Sequence, residues 1–234
     1  MLDINKHKFF LVSVLKDIYS DTVLATSLGF KGGTAQMLFY NLPRFSVDLD
    51  FNLLKKEKSN EVFNSVRKIL LNYGKIRDEA EKHFGLILVL DYGAHERNLK
   101  VEISNRIYPD NYEVKNYLGI PVKVMMKSDM FSHKLCALLD RKQLTNRDIF
   151  DIYFYLKEKT PVNKTIIEER MNKGLEEYLD LCISRIKKIN PASLLNGLGE
   201  LLDQDLKAFV RKNLKTELIQ LLNIYREFPI LSIQ

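Results

Sequence analysis

The sequence predicts an α/β fold: a small mixed sheet with helices on one side, followed by a helical C-terminal half. Three observations predict it. Residues 47–51, Val-Asp-Leu-Asp-Phe, alternate apolar and acidic side chains with the period of a strand. Strand-like apolar runs recur at 86–91, 98–104 and near 122–126. From residue 128 onward the apolar residues fall at helical spacing, with breaks at Pro161 and Pro191. The expected division is therefore 1–127 for the mixed domain and 128–234 for the helical one.

Each element has a local reason. Residues 6–28 read as one or two amphipathic helices, with Phe9, Phe10, Val12, Val14, Leu15 and Ile18 near helical spacing. Lys31-Gly32-Gly33-Thr34 follows, where two glycines permit a tight turn, and a short helix over 35–40 starts directly after it. Leu42-Pro43 ends that helix. The 47–51 strand then puts Asp48 and Asp50 on one face. A helix over 60–73 carries Val62, Phe63, Val66, Ile69 and Leu70 on its apolar side. In the 98–104 strand, Leu99, Val101 and Ile103 face one way and Lys100, Glu102 and Ser104 the other. Glu102 joins the face of Asp48 and Asp50 only if the two strands are neighbours. Ser128-Asp129 offers an N-cap for a helix running through Leu139. Further helices are expected at 147–156, 164–189, 192–202 and 204–225. His7 sits in a basic tip, none of His83, His95 and His133 has the partner spacing of zinc ligands, and structural or solvent-exposed histidines are expected.

The bulk numbers bound the class. At 234 residues, 46% hydrophobic and 28% charged, the chain can bury a core and has the composition of a soluble globular protein. A net charge of +6 suits polyanionic partners such as nucleotides or nucleic acid. Cys136 and Cys182 sit in separate apolar helical patterns and read as buried free thiols. The opening Met-Leu-Asp-Ile-Asn-Lys lacks a signal-peptide arrangement, and no apolar run approaches the ~20 residues of a membrane span. A soluble, cytoplasmic protein with no membrane partner is expected.

One constellation carries chemistry. Gly32-Gly33-Thr34 running into a helix N-terminus can cradle phosphate oxygens. Asp48 and Asp50 can jointly hold Mg²⁺ or Mn²⁺ through oxygen ligands. Glu102 is the candidate third carboxylate, able to bind a catalytic metal and to assist deprotonation of an incoming hydroxyl. Arg44 and Ser46, just before the acidic pair, can contact phosphate or orient the loop. An NTP fits all of these requirements.

These residues resemble a known family. Lys31-Gly-Gly-Thr-Ala followed by Arg44-Phe-Ser-Val-Asp-Leu-Asp-Phe51 is similar to the AbiEii/AbiGii toxin family of DNA-polymerase-β-like nucleotidyltransferases. Leu99-Lys-Val-Glu-Ile-Ser104 looks like the strand that carries that superfamily's third acid, here a Glu where Asp is common. His133-Lys134-Leu-Cys-Ala-Leu-Leu-Asp-Arg141 and Arg147-Asp148-Ile-Phe-Asp151 are similar to the downstream motifs. The resemblance implies a nucleotidyltransferase core over 1–127, a toxin role in abortive infection or a toxin–antitoxin pair, and a cognate antitoxin protein. It also implies NMP transfer from an NTP to an acceptor, with a tRNA or other RNA 3′ end expected. By resemblance, Lys134 contacts nucleotide phosphates and Asp148 is a motif acid near the site.

Blander readings stand beside these. Asp-x-Asp also occurs on solvated strand faces, and Gly-Gly on structural turns. Lys134 also reads as a solvated helix residue, and Asp148 with Asp151 as partners of a helix dipole. The basic runs at 55–58, 185–188 and 211–212 suit an RNA backbone or a solvated helix face. A metal-dependent glycosyltransferase or phosphodiesterase uses similar acids, and a non-catalytic binding protein can retain the fold. Gly-Gly-Thr ~15 residues upstream of Asp-x-Asp favours nucleotidyl transfer over the rival enzyme class, and the presence of all three acids argues against a non-catalytic protein.

Overall fold

The computed structural model describes residues 3–93 and 97–232. His95 therefore lies outside the described residues. The chain forms two compact units, Met1–Ile107 with Tyr112–Met125, and Tyr108–Asn111 with Met126–Gln234.

The first unit holds the sheet. Helix α1 (Ile4–Ser20) starts at Asp3, whose carboxylate accepts the Lys6 N–H at 3.0 Å. Leu11, Val14, Leu15 and Ile18 form its buried stripe. Asp21 stops it and caps α2 (Thr22–Ser27) by accepting from the N–H groups of Val23 and Leu24. The strands are β1 (Leu28–Lys31), β2 (Asp48–Leu53), β3 (Lys75–Lys82), β4 (Gly85–Asp91), β5 (Leu99–Ser104), β6 (Tyr112–Tyr117) and β7 (Ile120–Met125). Helix α3 (Gly32–Phe39) joins β1 to the segment before β2, and α4 (Ser59–Leu71) precedes β3.

These strands make one sheet in the order β3-β4-β5-β2-β1-β7-β6. The β2–β5 and β1–β7 pairs are parallel and the others antiparallel, so the sheet is mixed as the sequence predicts. Strand β1 is interior to the sheet, yet its four residues, Leu-Gly-Phe-Lys, read in sequence as a helix tail and a turn. Pairing on both sides and full burial of Phe30 override the weak local signal. Strands β3 and β6 also go unread in the sequence. β3, Lys-Ile-Arg-Asp-Glu-Ala-Glu-Lys, has helix-favouring composition, but it is an edge strand, where charge discourages pairing with other chains. Leu49 and Phe51 of β2, Val101 and Ile103 of β5, and Leu86, Leu88 and Leu90 of β4 are buried, which leaves the alternate residues for the other face.

The second unit is helical among its described residues: α5 (Lys127–Asp140), α6 (Asn146–Lys157), α7 (Lys164–Met171), α8 (Leu175–Lys187), α9 (Gln204–Lys212) and α10 (Leu214–Glu227). Phe131 stacks on Tyr155 at 5.1 Å, and the Tyr178 hydroxyl donates to the Leu135 carbonyl at 2.9 Å. Four expectations change here. Ser128-Asp129 is no N-cap; Asp129 is buried within the first turn of α5 and accepts from the Asn111 backbone N–H at 2.6 Å and from Asn163 Nδ2 at 3.0 Å. The single helix expected over 164–189 is two, broken where Asn172 adopts φ 51°, a left-handed cap that Asn tolerates. Residues 192–202 form only 3-10 turns, at Pro191–Ser193 and Gly199–Leu201. Residues 204–225 split into α9 and α10 at Asn213.

Cys136 and Cys182 are buried free thiols, as expected, and burial pushes both up to about 12, so neither is a ready nucleophile. Among the described residues no helix is long and apolar enough to cross a membrane.

Candidate active site

The parallel pairing of β2 with β5 meets the condition posed by the sequence. Asp48 lies opposite Lys100 and Asp50 opposite Glu102, so three carboxylates and one ammonium share a face of two neighbouring strands. On the other neighbour of β2, Lys31 of β1 lies opposite Asp50.

The glycine turn abuts this cluster. Gly32 has φ +79°, and a Cβ there would lie 2.4 Å from Asp50 Oδ2. A Cβ on Gly33 would lie 2.7 Å from Ser46 Oγ and 2.9 Å from an Arg44 guanidinium nitrogen. The turn is thus a cradle that any side chain would fill, walled by Asp50 on one side and by buried Arg44 and Ser46 on the other. Gly32→Ala is expected to cost about 1–3 kcal/mol from positive φ and the carboxylate collision together, read by urea unfolding. A loss under about 0.5 kcal/mol would show that the turn relaxes freely.

Thr34 is fully buried, and its hydroxyl donates to the Asp48 carbonyl oxygen at 2.5 Å. That bond ties α3 to the start of β2 and commits the hydroxyl's proton to the backbone. His7 belongs to the same framework. Of the two settings expected for it, structural or exposed, the structural one holds: His7 is fully buried, and its Nε2 lies 2.8 Å from the Val47 carbonyl while Nδ1 lies 2.6 Å from the Tyr92 hydroxyl. Because a carbonyl only accepts, Nε2 carries the proton and Tyr92 donates to Nδ1. Burial holds the ring below its ordinary pKa, keeping it neutral beside the residue that precedes Asp48.

Electrostatics mark Asp50. Burial first, then the charge of Asp48, push its carboxyl up to about 6, while Lys100 and Lys31 pull the other way. Lys100 Nζ lies 3.0 Å from Glu102 Oε2 and 3.8 Å from Asp48 Oδ2. Burial alone would raise the Glu102 carboxyl, but Lys100 outweighs it and holds Glu102 below the usual range. The same acids raise Lys100 despite its burial. Among the described residues no three His, Cys, Asp or Glu side chains form a ready metal-binding group, and Lys100 is ion-paired with Glu102 and Asp48. The donor set still fits Mg²⁺ or Mn²⁺: hard oxygens, an incompletely neutralised charge at Asp50, and a cation already drawn in.

Lys134 and Asp148 meet within the second unit. Lys134 Nζ lies 2.8 Å from both Asp148 Oδ1 and Asp151 Oδ2, and those carboxylates are 2% and 0% exposed. Arg141 lies 3.3 Å from Asp148, and the Thr145 hydroxyl donates to it at 2.6 Å. Burial would raise Asp148, but Lys134 and Arg141 outweigh it and hold the carboxyl at about 2. Lys134 is thus an ion-paired, largely buried group and not a solvated one. His133 meets Asp110 at 2.6 Å and Arg170 at 2.9 Å, a structural setting, and His83 is exposed.

Lys100 and His7 went unassigned in the sequence. Lys100 had a signal, since it shares the strand face of Glu102 two residues away. His7 had none, because its partners are distant in the chain.

The fold resembles two Helicobacter pylori crystal structures. JHP933 matches with a TM-score of 0.59 and 23% identity, over 97% of this chain and 94% of that one. A candidate nucleotidyltransferase from H. pylori matches with a TM-score of 0.60 and 23% identity, over 96% of this chain and 95% of that one. At such identity these likenesses concern the fold. Curated protein sequences offer no significant match. The family model described as nucleotidyl transferase AbiEii toxin, type IV TA system, matches residues 13–223, nearly the whole chain. The chain belongs to the AbiEii nucleotidyl transferase toxin family of type IV toxin–antitoxin systems.

Proposed function

We propose that this family member transfers a nucleoside monophosphate from an NTP to an acceptor hydroxyl, with an RNA 3′ end, tRNA included, as the acceptor. The observation that carries the reading is Asp48, Asp50 and Glu102 on one face of adjacent strands, against a glycine cradle that admits no side chain. Asp48, Asp50 and Glu102 would hold Mg²⁺ or Mn²⁺, which when bound neutralises triphosphate charge and acidifies the attacking hydroxyl.

The chain's own residues do the rest. Backbone N–H groups of Gly33 and Thr34, at the N-terminus of α3, would receive phosphate oxygens that a Cβ at residue 33 would exclude. Gly32 leaves the space beside Asp50 open, and Ser46 and Arg44 wall the far side. Glu102, one of the three carboxylates on that face, would take the acceptor's proton. The acceptor oxygen forms a bond to the α-phosphorus, the bond to the α,β-bridging oxygen breaks, and pyrophosphate leaves. Lys134 as a phosphate contact and Asp148 as a motif acid near the site enter through the family resemblance; their geometry supports an ammonium fixed in place by two buried carboxylates.

Shutting down translation through RNA ends is the proposed toxic effect, abortive infection the proposed setting, and a cognate antitoxin the proposed partner. The test incubates the protein with total RNA and each α-labelled NTP, with Mg²⁺, with Mn²⁺ or with chelator. Label on intact RNA and none on periodate-oxidised RNA, which lacks a usable 3′ end, is the expected result. RNA cleavage, or transfer only from a nucleotide sugar, would move the protein to phosphodiester hydrolysis or glycosyl transfer.

A further inference from the structure

The acidic face carries a cation of its own. Lys100 projects from β5 on the side of Glu102, with its Nζ 3.0 Å from Glu102 Oε2 and 3.8 Å from Asp48 Oδ2. The strand pairing sets it opposite Asp48, while Asp50 lies opposite Glu102, so the ammonium shares the face that carries the three acids and is paired with two of them. A divalent ion binding to those oxygens needs the space and the charge that Lys100 takes. Two like-signed ions sharing the cluster repel strongly at this partly buried site.

We propose that Lys100 is a resident counter-ion that makes the site refuse bare divalent metal and accept it only together with a triphosphate. The inference rests on the metal-dependent reading above. Bare metal must break the Glu102 and Asp48 ion pairs and leave the displaced ammonium beside a new positive charge. A metal–triphosphate complex brings phosphate oxygens that take over the ammonium, so the exchange loses no ion pair. Flexible and carrying a point charge, a lysine stem can make that move without displacing the strand. The consequence is coupling: metal and nucleotide each strengthen the binding of the other, and Lys100 is the side chain through which they do so.

The test measures Mn²⁺ binding by electron paramagnetic resonance, with and without a non-hydrolysable α,β-methylene NTP analogue. The proteins compared are the wild type, Lys100→Met, Lys100→Gln and Lys100→Arg. Met and Gln keep much of the stem, Lys100 is only half-buried, and circular dichroism reports whether each variant is folded. In wild type, Mn²⁺ should bind weakly alone and much more tightly with the analogue. Met and Gln should bind bare Mn²⁺ about tenfold more tightly, the scale of relieving partly screened ion pairs, and should lose most of the enhancement by nucleotide. Arg should behave as wild type. Bare-metal affinity in Met and Gln equal to or below wild type, with metal binding intact, overturns the role of Lys100 alone. No Mn²⁺ binding by any of the proteins, with or without analogue, overturns this inference and the metal-dependent reading together.

Discussion

Asp50→Asn is expected to abolish nucleotidyl transfer while making the metal-free protein more stable. The carboxylate sits on the face that also carries Asp48 and Glu102, and burial with the Asp48 charge raises its pKa from 3.8 to about 6. A group shifted upward is easier to protonate in the folded chain than in the unfolded one. Its contribution is therefore most favourable below about pH 3.8 and is lost as pH rises through about 6. At pH 7.5 the ionised carboxylate is a cost, and Asn, which resembles the protonated acid, removes it. The full shift corresponds to about 3 kcal/mol, and partial exposure reduces this to about 1–3 kcal/mol. Thermal melts of metal-free protein should show the variant gaining at pH 7.5 and showing no advantage near pH 4. Transfer should fall on the order of 10²–10³-fold or more, since a group made for the transition state is gone. A variant destabilised at pH 7.5 would contradict the electrostatic account of the site.

Lys134→Met has the largest expected effect on stability. Its ammonium lies 2.8 Å from two carboxylates that are 2% and 0% exposed, so removing it takes a counter-charge from two buried negative charges. Such losses typically cost about 3–5 kcal/mol. Arg141, at 3.3 Å from Asp148, relieves part of this but leaves Asp151 without the ammonium. Asp148 is held at about 2, so its contribution is present above its unfolded value of 3.8 and is lost as pH falls through about 2. With Lys134 gone Asp148 holds its proton at higher pH, and the acid-unfolding midpoint should move upward. Adding Asp148→Asn to Lys134→Met should recover part of the loss, a coupling that a double-mutant cycle isolates. Equal stability of Lys134→Met and wild type would return Lys134 to the status of a solvated helix residue.

Much of the candidate site was legible because its signals are local. Asp48 and Asp50 alternate with Leu49 and Phe51, Gly32 and Gly33 are adjacent, and Glu102 alternates with Val101 and Ile103. Period-two patterning places each on a strand face without knowledge of the partner strand. What the sequence left open was pairing. That Asp50 faces Glu102 depends on β2 meeting β5, a contact about fifty residues long-range in the chain. The same holds for His7, whose partners Val47 and Tyr92 come from two other parts of the first unit. Interior β1 was missed because four residues carry too little pattern, and charged β3 because its composition favours helix. In the helical unit the overlong helices failed where Asn172 and Asn213 interrupt a pattern whose apolar spacing continues across them.

The central claim is that this face of the sheet moves a nucleoside monophosphate. It is tested most directly by following one NTP labelled separately at its α- and γ-phosphates in a reaction with total RNA. The account predicts that the α-label appears on RNA, that the γ-label appears in pyrophosphate in equal amount, and that Asp50→Asn yields neither. Transfer of the γ-label to the acceptor, or α-label transfer that survives Asp50→Asn, would contradict it.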